Sequence, residues 1–428
     1  MSSSTSIRSV FSALLGCLLT INVGTVFAAE KVFGLPEVLS YALENNGEIK
    51  ALRAERGLRE AGRIRAGLLP NPSLEFEGAG DFLFANEGER RFSAASYSQE
   101  ILTAGKRAKR LKVAGKDLEE YGYRIADAER LLDEEVKVAF YDLILAEHRL
   151  KLAGRFVEIN EQLLRVARDR FAAGDIPELE VNLARVEVAR SKGRKAEAER
   201  EIEPSRLKLF SLMGLSTGPE IGIAGTLENK EFPARIEDLR ALALARRPDL
   251  MALAAEKERA DAEIHLAEAQ GKPNVTAVLS LEREDSSLDV GDITAKDRDK
   301  LVGLKLSVPL PLYDRNQAGK KEAATRRRSA ESRYLFVRRN VDREVESAFA
   351  RLTSSEKALR IYGRDIFPQL EENLRLTQEA YRLAEVGILS VLEEQRKFLD
   401  ANEGYLAALY QWNTALARLT AAVGGRIN

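Results

Sequence analysis

The chain has 428 residues, 31% of them charged, and its 66 basic and 67 acidic residues nearly cancel. This balance supports neither a nucleic-acid-binding protein nor an acidic tail. With one cysteine and two histidines, the sequence excludes a disulfide framework and a His/Cys metal cluster, so we expect no resident metal and no cofactor. His148 and His265 lie inside helical patterns with no serine or cysteine nucleophile motif beside them, and no catalytic residue is predicted.

Residues 1–28 are predicted to be a secretory signal peptide. Arg8 supplies the positive charge, a largely apolar stretch follows, and Val26-Phe27-Ala28 fits the small-residue rule for cleavage before Ala29. The alternative is lipidation at Cys17, because residues 14–17 resemble a lipobox, although apolar sequence continues well past the cysteine. By either route the chain leaves the cytoplasm.

The first half of the chain, residues 29–235, begins with a predicted helix over 35–69. Proline is tolerated in the first turn at Pro36, and residues 70–72 (Pro-Asn-Pro) cannot continue a helix. The period then changes to two, and a strand hairpin is predicted over 73–102. One face of its first strand is apolar (Leu74, Phe76, Phe82, Phe84) and the other acidic (Glu75, Glu77, Asp81). This alternation is typical of a strand between lipid and water, or of a strand in a soluble sandwich.

A very long helix is predicted over 105–173. Apolar residues recur at alternating steps of four and three from Leu132 through Val157 to Phe171, the period of helices that wrap around each other. At 1.5 Å per residue this helix spans roughly 100 Å. Residues 174–177 (Gly-Asp-Ile-Pro) predict a turn, and a return helix follows over 177–213, with a kink expected at Pro204. An equatorial loop with a short strand completes the half over 214–235.

The second half, residues 236–428, repeats the first. A shift of 201 residues places 39–74 on 240–275 without a gap, and a shift of 210 places 171–176 on 381–386. The repeat predicts a helix over 236–271, a strand hairpin over 274–308 with a polar loop at 284–300, a long helix over 317–383 interrupted at Pro368, and a return helix over 388–424.

Four strands per chain cannot close a barrel, yet a sheet in lipid must close because every backbone polar group needs a partner. Three copies give twelve strands, a number within the range of outer-membrane barrels. We therefore predict an α+β membrane protein: a trimeric 12-stranded β-barrel continuous with a long α-helical periplasmic tunnel, built from chains with an internal two-fold repeat.

This layout resembles the TolC-like outer-membrane efflux proteins. The resemblance lies in the duplicated half, residues 66–72 (AGLLPNP), Arg247-Pro248-Asp249-Leu250 and the paired turns, and residues 99–107 and 306–316 look most like the CzcC-like heavy-metal branch. It implies a homotrimer in outer-membrane lipid that docks with a periplasmic adaptor (a membrane fusion protein) and an inner-membrane RND-type pump, as a passive conduit for divalent heavy-metal cations. The alternatives are a channel of the same fold for drug efflux or type I protein secretion, and a periplasmic coiled-coil structural protein.

The resemblance also implies two sets of site residues around the turns. The family narrows its periplasmic aperture with acidic residues at positions that fall on Ser390 and Glu393; Glu393 keeps the charge, Glu394 lies beside it and Ser390 departs from the pattern. Asp175 is included in this set, and the alternative for the two glutamates is that they are solvated helix residues. The predicted adaptor contacts are Phe171, Gly174, Asp175, Tyr381, Ala384 and Glu385. For the two aromatic residues the alternative is packing, and because Ala384 replaces a glycine, the second turn is expected to be tighter or shifted to Gly387.

Overall fold

The computed structural model describes residues 31–80, 90–216, 221–230, 232–290, 293–425 and 427. The predicted signal peptide with Cys17, and the hairpin residues Phe82 and Phe84, lie outside these ranges. The first half contains β1 Lys31–Phe33, α1 Leu35–Asn45, α2 Gly47–Gly67, β2 Ser73–Gly80, β3 Arg90–Ile101, α3 Lys106–Ala172, α4 Glu178–Leu212 and β4 Ile221–Ile223. The second half contains α5 Ile236–Arg246, α6 Pro248–Gln270, β5 Val275–Val290, β6 Ile293–Ser307, α7 Gln317–Arg360, a π-helical turn Ile361–Ile366, α8 Phe367–Arg382 and α9 Ile388–Ala422.

The four long strands form one antiparallel sheet in the order β2-β3-β5-β6. Its register aligns residues of one face in rows across all four strands: Leu74, Tyr97, Leu279 and Leu304 form one row, and Phe76, Ala95, Leu281 and Val302 the next. The row between them, on the opposite face, is Glu75, Ser96, Ser280 and Gly303. In these rows one face of the sheet is therefore apolar and the other polar, whereas the next row on the apolar side, Gly78, Ser93, Arg283 and Lys300, is polar. The two edges of the sheet are β2 and β6.

The prediction of a polar loop over 284–300 is wrong, because strands β5 and β6 continue into this segment. The ladder between β5 and β6 extends to the pair Val290 and Ile293. Charged side chains are accommodated here because they pair with each other: Arg298 lies 2.9 Å and Arg283 2.8 Å from the carboxylate of Asp285.

The helices lie side by side, with α3 in the middle. In its N-terminal part α3 packs against α2 and α6, where Asp117 accepts hydrogen bonds from Arg59 of α2 and Arg259 of α6. In its C-terminal part it packs against α4 and α9, where Phe156 faces Phe398 at a ring distance of 6.2 Å. α7 flanks α6, and α8 flanks α9. The helices α2, α3, α6 and α7 all meet the sheet at one end, and the two turns lie at the other end of α3.

Two helices predicted as continuous are broken. The helix expected over 35–69 ends at Asn46, whose side chain accepts hydrogen bonds from the amides of Glu48 and Ile49 and so caps a new helix, α2. The helix expected over 236–271 restarts after Arg247, because Pro248 occupies the first position of α6. The α4 helix, in contrast, continues through Pro204.

The long helix expected over 317–383 is interrupted by the π-helical turn that precedes Pro368. Proline lacks an N–H and crowds the carbonyl four residues earlier, so the α-helical ladder cannot continue past it unchanged. The wider turn adjusts the ladder, and the amide of Phe367 bonds the carbonyl of Tyr362, five residues back. Tyr362 packs over Gly404 of α9, where a Cβ atom would overlap its hydroxyl.

The two halves have equivalent close contacts near their own hydrophobic clusters. Gly214 and Gly424, which are 210 residues apart, both have left-handed backbone with φ of 70° and 90°. A Cβ on Gly214 would lie 2.5 Å from the carbonyl oxygen of Asn45, and one on Gly424 would lie 2.9 Å from the backbone of Arg246. The end of each return helix is thus held against the first helical break of its own half.

Candidate functional site

The first helical turn, between α3 and α4, closes with two backbone hydrogen bonds. The amide of Gly174 bonds the carbonyl of Phe171 at 3.0 Å, and the amide of Asp175 bonds that of Arg170 at 2.9 Å. This pair of bonds is the Schellman motif, which requires a left-handed residue, and Gly174 has φ of 82°. Pro177 then precedes α4 in an extended conformation.

The second turn, between α8 and α9, has the same geometry without a glycine. The amide of Ala384 bonds the carbonyl of Tyr381 at 3.1 Å, and that of Glu385 bonds Ala380 at 2.9 Å. Ala384 itself is left-handed, with φ of 66°, whereas Gly387 is extended and caps α9. The expectation that the turn shifts to Gly387 is therefore wrong. Alanine in this conformation costs about 1–2 kcal/mol that glycine does not.

A hydrophobic cluster packs the two turns against each other. It draws on the end of α3, the start of α4 and both sides of the second turn. Its buried members are Leu163, Leu164, Ala167, Ile176, Val181, Ala184, Val188, Tyr381, Ile388 and Val391. The turns therefore form one packed body in each chain.

Tyr381 is the polar link inside this cluster, and it is only 1% exposed. Its hydroxyl donates a hydrogen bond of 3.2 Å to the carboxylate of Glu180 on α4. Arg170 of α3 lies 4.8 Å from the centre of its ring and donates a 2.9 Å hydrogen bond to its carbonyl oxygen. Burial, followed by the charge of Glu180, raises the pKa of Tyr381 to about 12. One tyrosine thus connects α3, α4 and α8.

The predicted contact residues fall into two groups. Tyr381 is buried, which is the packing alternative, whereas Phe171 is 45% exposed. The remaining ones, Gly174, Asp175, Ala384 and Glu385, are exposed at the two turns. Three leucines that were not predicted are exposed beside them: Leu179, Leu383 and Leu389.

The predicted aperture residues Ser390 and Glu393 are exposed on the first turns of α9, while Glu394 is half-buried. Lys397, one helical turn further on, lies 3.2 Å from Glu393 and 2.8 Å from Glu394. Hydrogen bonds to Glu394 and then to Glu393 raise the pKa of Lys397. The two carboxylates are therefore partly neutralised by a lysine of their own helix.

Sequence reasoning missed Arg170 and Glu180. The available signal was the difference between the repeats, since Phe171 of the first turn aligns with Tyr381 of the second. A hydroxyl added to a packed aromatic residue needs a partner when it is buried. That partner comes from the opposite turn, and its identity could not be read from the repeat alone.

Within the described ranges, no group of three or more His, Cys, Asp or Glu side chains is arranged to hold a metal ion. Nor does any helix of the described chain combine the length and the apolar character needed to cross a membrane.

Comparison with protein families gives a match to the outer membrane efflux protein family over residues 38–215 and 239–425. The chain belongs to this family. It is 26% identical over 389 residues to the cobalt-zinc-cadmium resistance protein CzcC of Cupriavidus metallidurans, covering 90% of this chain and 89% of that protein. It is 24% identical over 341 residues to the nickel-cobalt-cadmium resistance protein NccC of Alcaligenes xylosoxydans xylosoxydans, covering 79% and 75%.

The fold of this outer membrane efflux protein is also that of solved channels. A crystal structure of CusC superimposes with a TM-score of 0.73 at 19% identity and covers 92% of each chain. The prediction of a TolC-like outer-membrane efflux protein is thereby confirmed. The first matched segment ends at residue 215, at the start of the equatorial loop predicted over 214–235, and the second begins at residue 239, after it.

Proposed function

We propose that this outer membrane efflux protein is the exit channel of a tripartite efflux system and passively conducts divalent heavy-metal cations to the cell exterior. The part of the sheet nearest the helices, in which the rows of Leu74 and Phe76 form an apolar face opposite the polar row of Glu75, carries the proposal. In a single chain its edges, β2 and β6, have one unpaired side each. Three copies joined edge to edge close twelve strands into a barrel with lipid outside and water inside, so that every strand is paired.

In this trimer the packed turns form the periplasmic mouth. Three copies of Glu393 and Glu394 line it and attract cations, and their mutual repulsion opposes narrowing of the mouth. Lys397 reduces that charge because it pairs with both acids in the same chain. The Tyr381 link holds the two turns of each chain together, and its release would let the mouth widen.

The exposed apolar residues at the turns support docking of a periplasmic adaptor. Phe171, Leu179, Leu383 and Leu389 are exposed in the same two turn segments as the exposed Asp175 and Glu385. An apolar patch with a polar rim is the usual composition of a protein interface. An adaptor placed there connects this channel to an inner-membrane RND-type pump.

The cation substrate rests on the names of CzcC and NccC, which are described as resistance proteins for cobalt, zinc, nickel and cadmium. The sequence has only two histidines and one cysteine, but a conduit does not need to bind what its pump selects. Cation attraction by Glu393 at the mouth is compatible with this substrate class.

The test is the tolerance of a deletion strain to zinc, cobalt, cadmium and nickel salts beside a panel of dyes and detergents. Selective loss of metal tolerance, restored by the gene, is the expected result. Loss of dye or detergent tolerance alone would replace the substrate with drugs and keep the channel. A heat-dissociable trimer in outer-membrane fractions is expected as well, and its absence would contradict the barrel.

A further inference from the structure

The end of the helical layer that meets the sheet carries basic residues whose charge is not cancelled. In α3, six lysines and arginines precede the first acid, Asp117, and of these Lys116 is paired with Glu119 and Glu258. Several of them donate to backbone carbonyls instead of carboxylates: Arg107 to Gly67 at 2.6 Å and Arg110 to Leu68 at 3.3 Å. Carbonyl bonds fix these side chains in place but leave their positive charge.

The corresponding start of α7 is basic too. Lys320 and Lys321 are exposed, and within the described chain neither has a carboxylate at ion-pair distance; the same holds for the exposed Lys112 of α3. Neither α3 nor α7 has an acidic residue in its first turn. Cations at a helix N-terminus oppose the helix dipole, so this arrangement is locally unfavourable without a nearby anion.

Large apolar side chains are exposed at the same level, in the segments that connect sheet and helices. Between β2 and α2 these are Leu68, 60% exposed, and Leu69, 63%. Between β6 and α7 they are Leu310, Leu312 and Tyr313, and Tyr313 is 91% exposed. Aromatic and apolar residues beside lysine and arginine are the composition of a membrane–water interface.

We propose that this surface, the basic collar (Lys112, Lys320 and Lys321 with Leu312 and Tyr313), binds the anionic headgroups of glycerophospholipids. The apolar side chains enter the acyl boundary and the lysines contact the headgroup phosphate. The inference rests on the proposed function, because it requires the sheet to lie in the membrane directly above the collar.

A second copy of the chain is the competing occupant of the collar. The positive charge on both surfaces argues against direct contact between two copies without an intervening anion. In the proposed trimer, α2 of one chain meets α7 of the next. The sheet-proximal end of α2 carries exposed Arg63 and Arg65, and the facing end of α7 carries Lys320 and Lys321. Direct contact brings like charges together, whereas an intervening phosphate pairs with both sides.

The experiment uses the full-length protein purified from outer membranes in detergent. Equimolar phosphatidylglycerol and phosphatidylcholine are added, and native mass spectrometry measures the ratio of the two lipids bound to the trimer. The variant is Lys112→Gln, Lys320→Gln and Lys321→Gln combined. The matched control removes three exposed, unpaired cations far from the sheet: Lys151→Gln, Arg155→Gln and Arg200→Gln. Lys151 lies roughly 70 Å along α3 from its start, by the helical rise.

Each lysine near an anionic surface contributes about a fivefold preference. The wild type and the control are therefore expected to prefer phosphatidylglycerol at least about tenfold, and the triple variant to approach an equal ratio. Excess inorganic phosphate is expected not to displace the lipid, since it lacks the acyl chains; displacement would assign the site to free phosphate and overturn the proposal.

Equal binding of both lipids by the wild type would overturn the proposal, as would an equal loss of preference in the control. Dissociation of the variant trimer regardless of lipid would assign the collar to contact between copies and overturn it too. Failure of the proposed function gives a different result, since the wild type would then be absent from outer-membrane fractions.

Discussion

Arg170 and Tyr381 lie on different helices, yet the guanidinium of Arg170 covers the tyrosine ring at 4.8 Å and bonds its carbonyl oxygen at 2.9 Å. The tyrosine hydroxyl donates a hydrogen bond to Glu180 of α4. The two turns of each chain are thus joined by one side chain with partners on α3 and α4. Because the surrounding cluster is apolar, these are the polar contacts whose loss separates the turns most directly.

Replacing the hydroxyl tests this link. Tyr381→Phe removes the bond to Glu180 but keeps the ring over Arg170, and Glu180→Gln removes the charge that accepts it. Each change, and the double variant, is measured by hydrogen exchange of the turn amides. A hydrogen bond to a charged group predicts a coupling of about 1.5 kcal/mol. Tyr405→Phe serves as the control, because that ring packs edge-to-face against Phe367 and its hydroxyl has no partner in the described chain. Additive effects of the two changes would contradict the link.

The same tyrosine predicts a sensitivity to alkaline pH. An unfolded tyrosine has a pKa of about 10, and Tyr381 titrates at about 12 in the folded chain. The hydroxyl therefore stabilises the fold fully below pH ~10, and this stabilisation is lost as the pH rises towards ~12. Tyr410, which donates a 2.6 Å bond to Asp142, has its pKa raised to about 12 as well. The fall in melting temperature between pH 9 and pH 11 is expected to be smaller in Tyr381→Phe and in Tyr410→Phe, and smallest in the double variant. An unchanged fall in all three would contradict the assignment.

Glycine exchanges at the turns separate backbone strain from steric overlap. Ala384→Gly is expected to stabilise the second turn by about 1 kcal/mol, because it relieves a left-handed alanine. Gly174→Ala is expected to destabilise the first turn by a similar amount, because alanine is strained in the left-handed backbone conformation of Gly174. Steric overlap adds nothing to this cost, since no atom lies within 4 Å of the added Cβ. Gly214→Ala adds overlap with the carbonyl of Asn45 and is expected to cost more than Gly174→Ala. Thermal dissociation of the trimer measures all three, and equal losses for the two alanine variants would contradict the steric contribution.

The heptad pattern predicts which face of α3 is buried, because a period of 3.5 residues can be read from the sequence of this helix alone. Leu132, Val136 and Leu143 are buried as the stripe requires. Further along, Val157 is half-buried and its neighbour Phe156 is 4% exposed. In this part of α3 the buried face is turned towards a different helix, since Phe156 packs against Phe398 of α9. A periodic sequence does not specify which neighbour each segment meets.

The contacts at the helix interruption before Pro368 and between the two turns could not be predicted for the same reason, since they join residues that are far apart in the sequence. Pro368 marks an interruption in the sequence, but the sequence does not show that Tyr362 of the π-helical turn lies against Gly404, 42 residues away in the chain. Ala384 departs from glycine in the sequence, yet its backbone keeps the geometry of Gly174 because the packed turns fix it. Arg170 and Glu180 become recognisable only when the turns are brought together.

At the proposed mouth, removing the charge of Glu393 and removing that of Lys397 are expected to change cation preference in opposite directions. Lys397 pairs with Glu393 and Glu394, so each chain presents two acids and one base. Glu393→Gln removes an acid and is expected to weaken cation preference in single-channel recordings. Lys397→Gln frees both acids and is expected to strengthen it. Glu199→Gln, an exposed acid far along α4 from the turns, is the control and is expected to change neither selectivity nor conductance. Cation preference that falls in both Glu393→Gln and Lys397→Gln would indicate damage to the packed turns, and unchanged selectivity in both would contradict an acidic mouth.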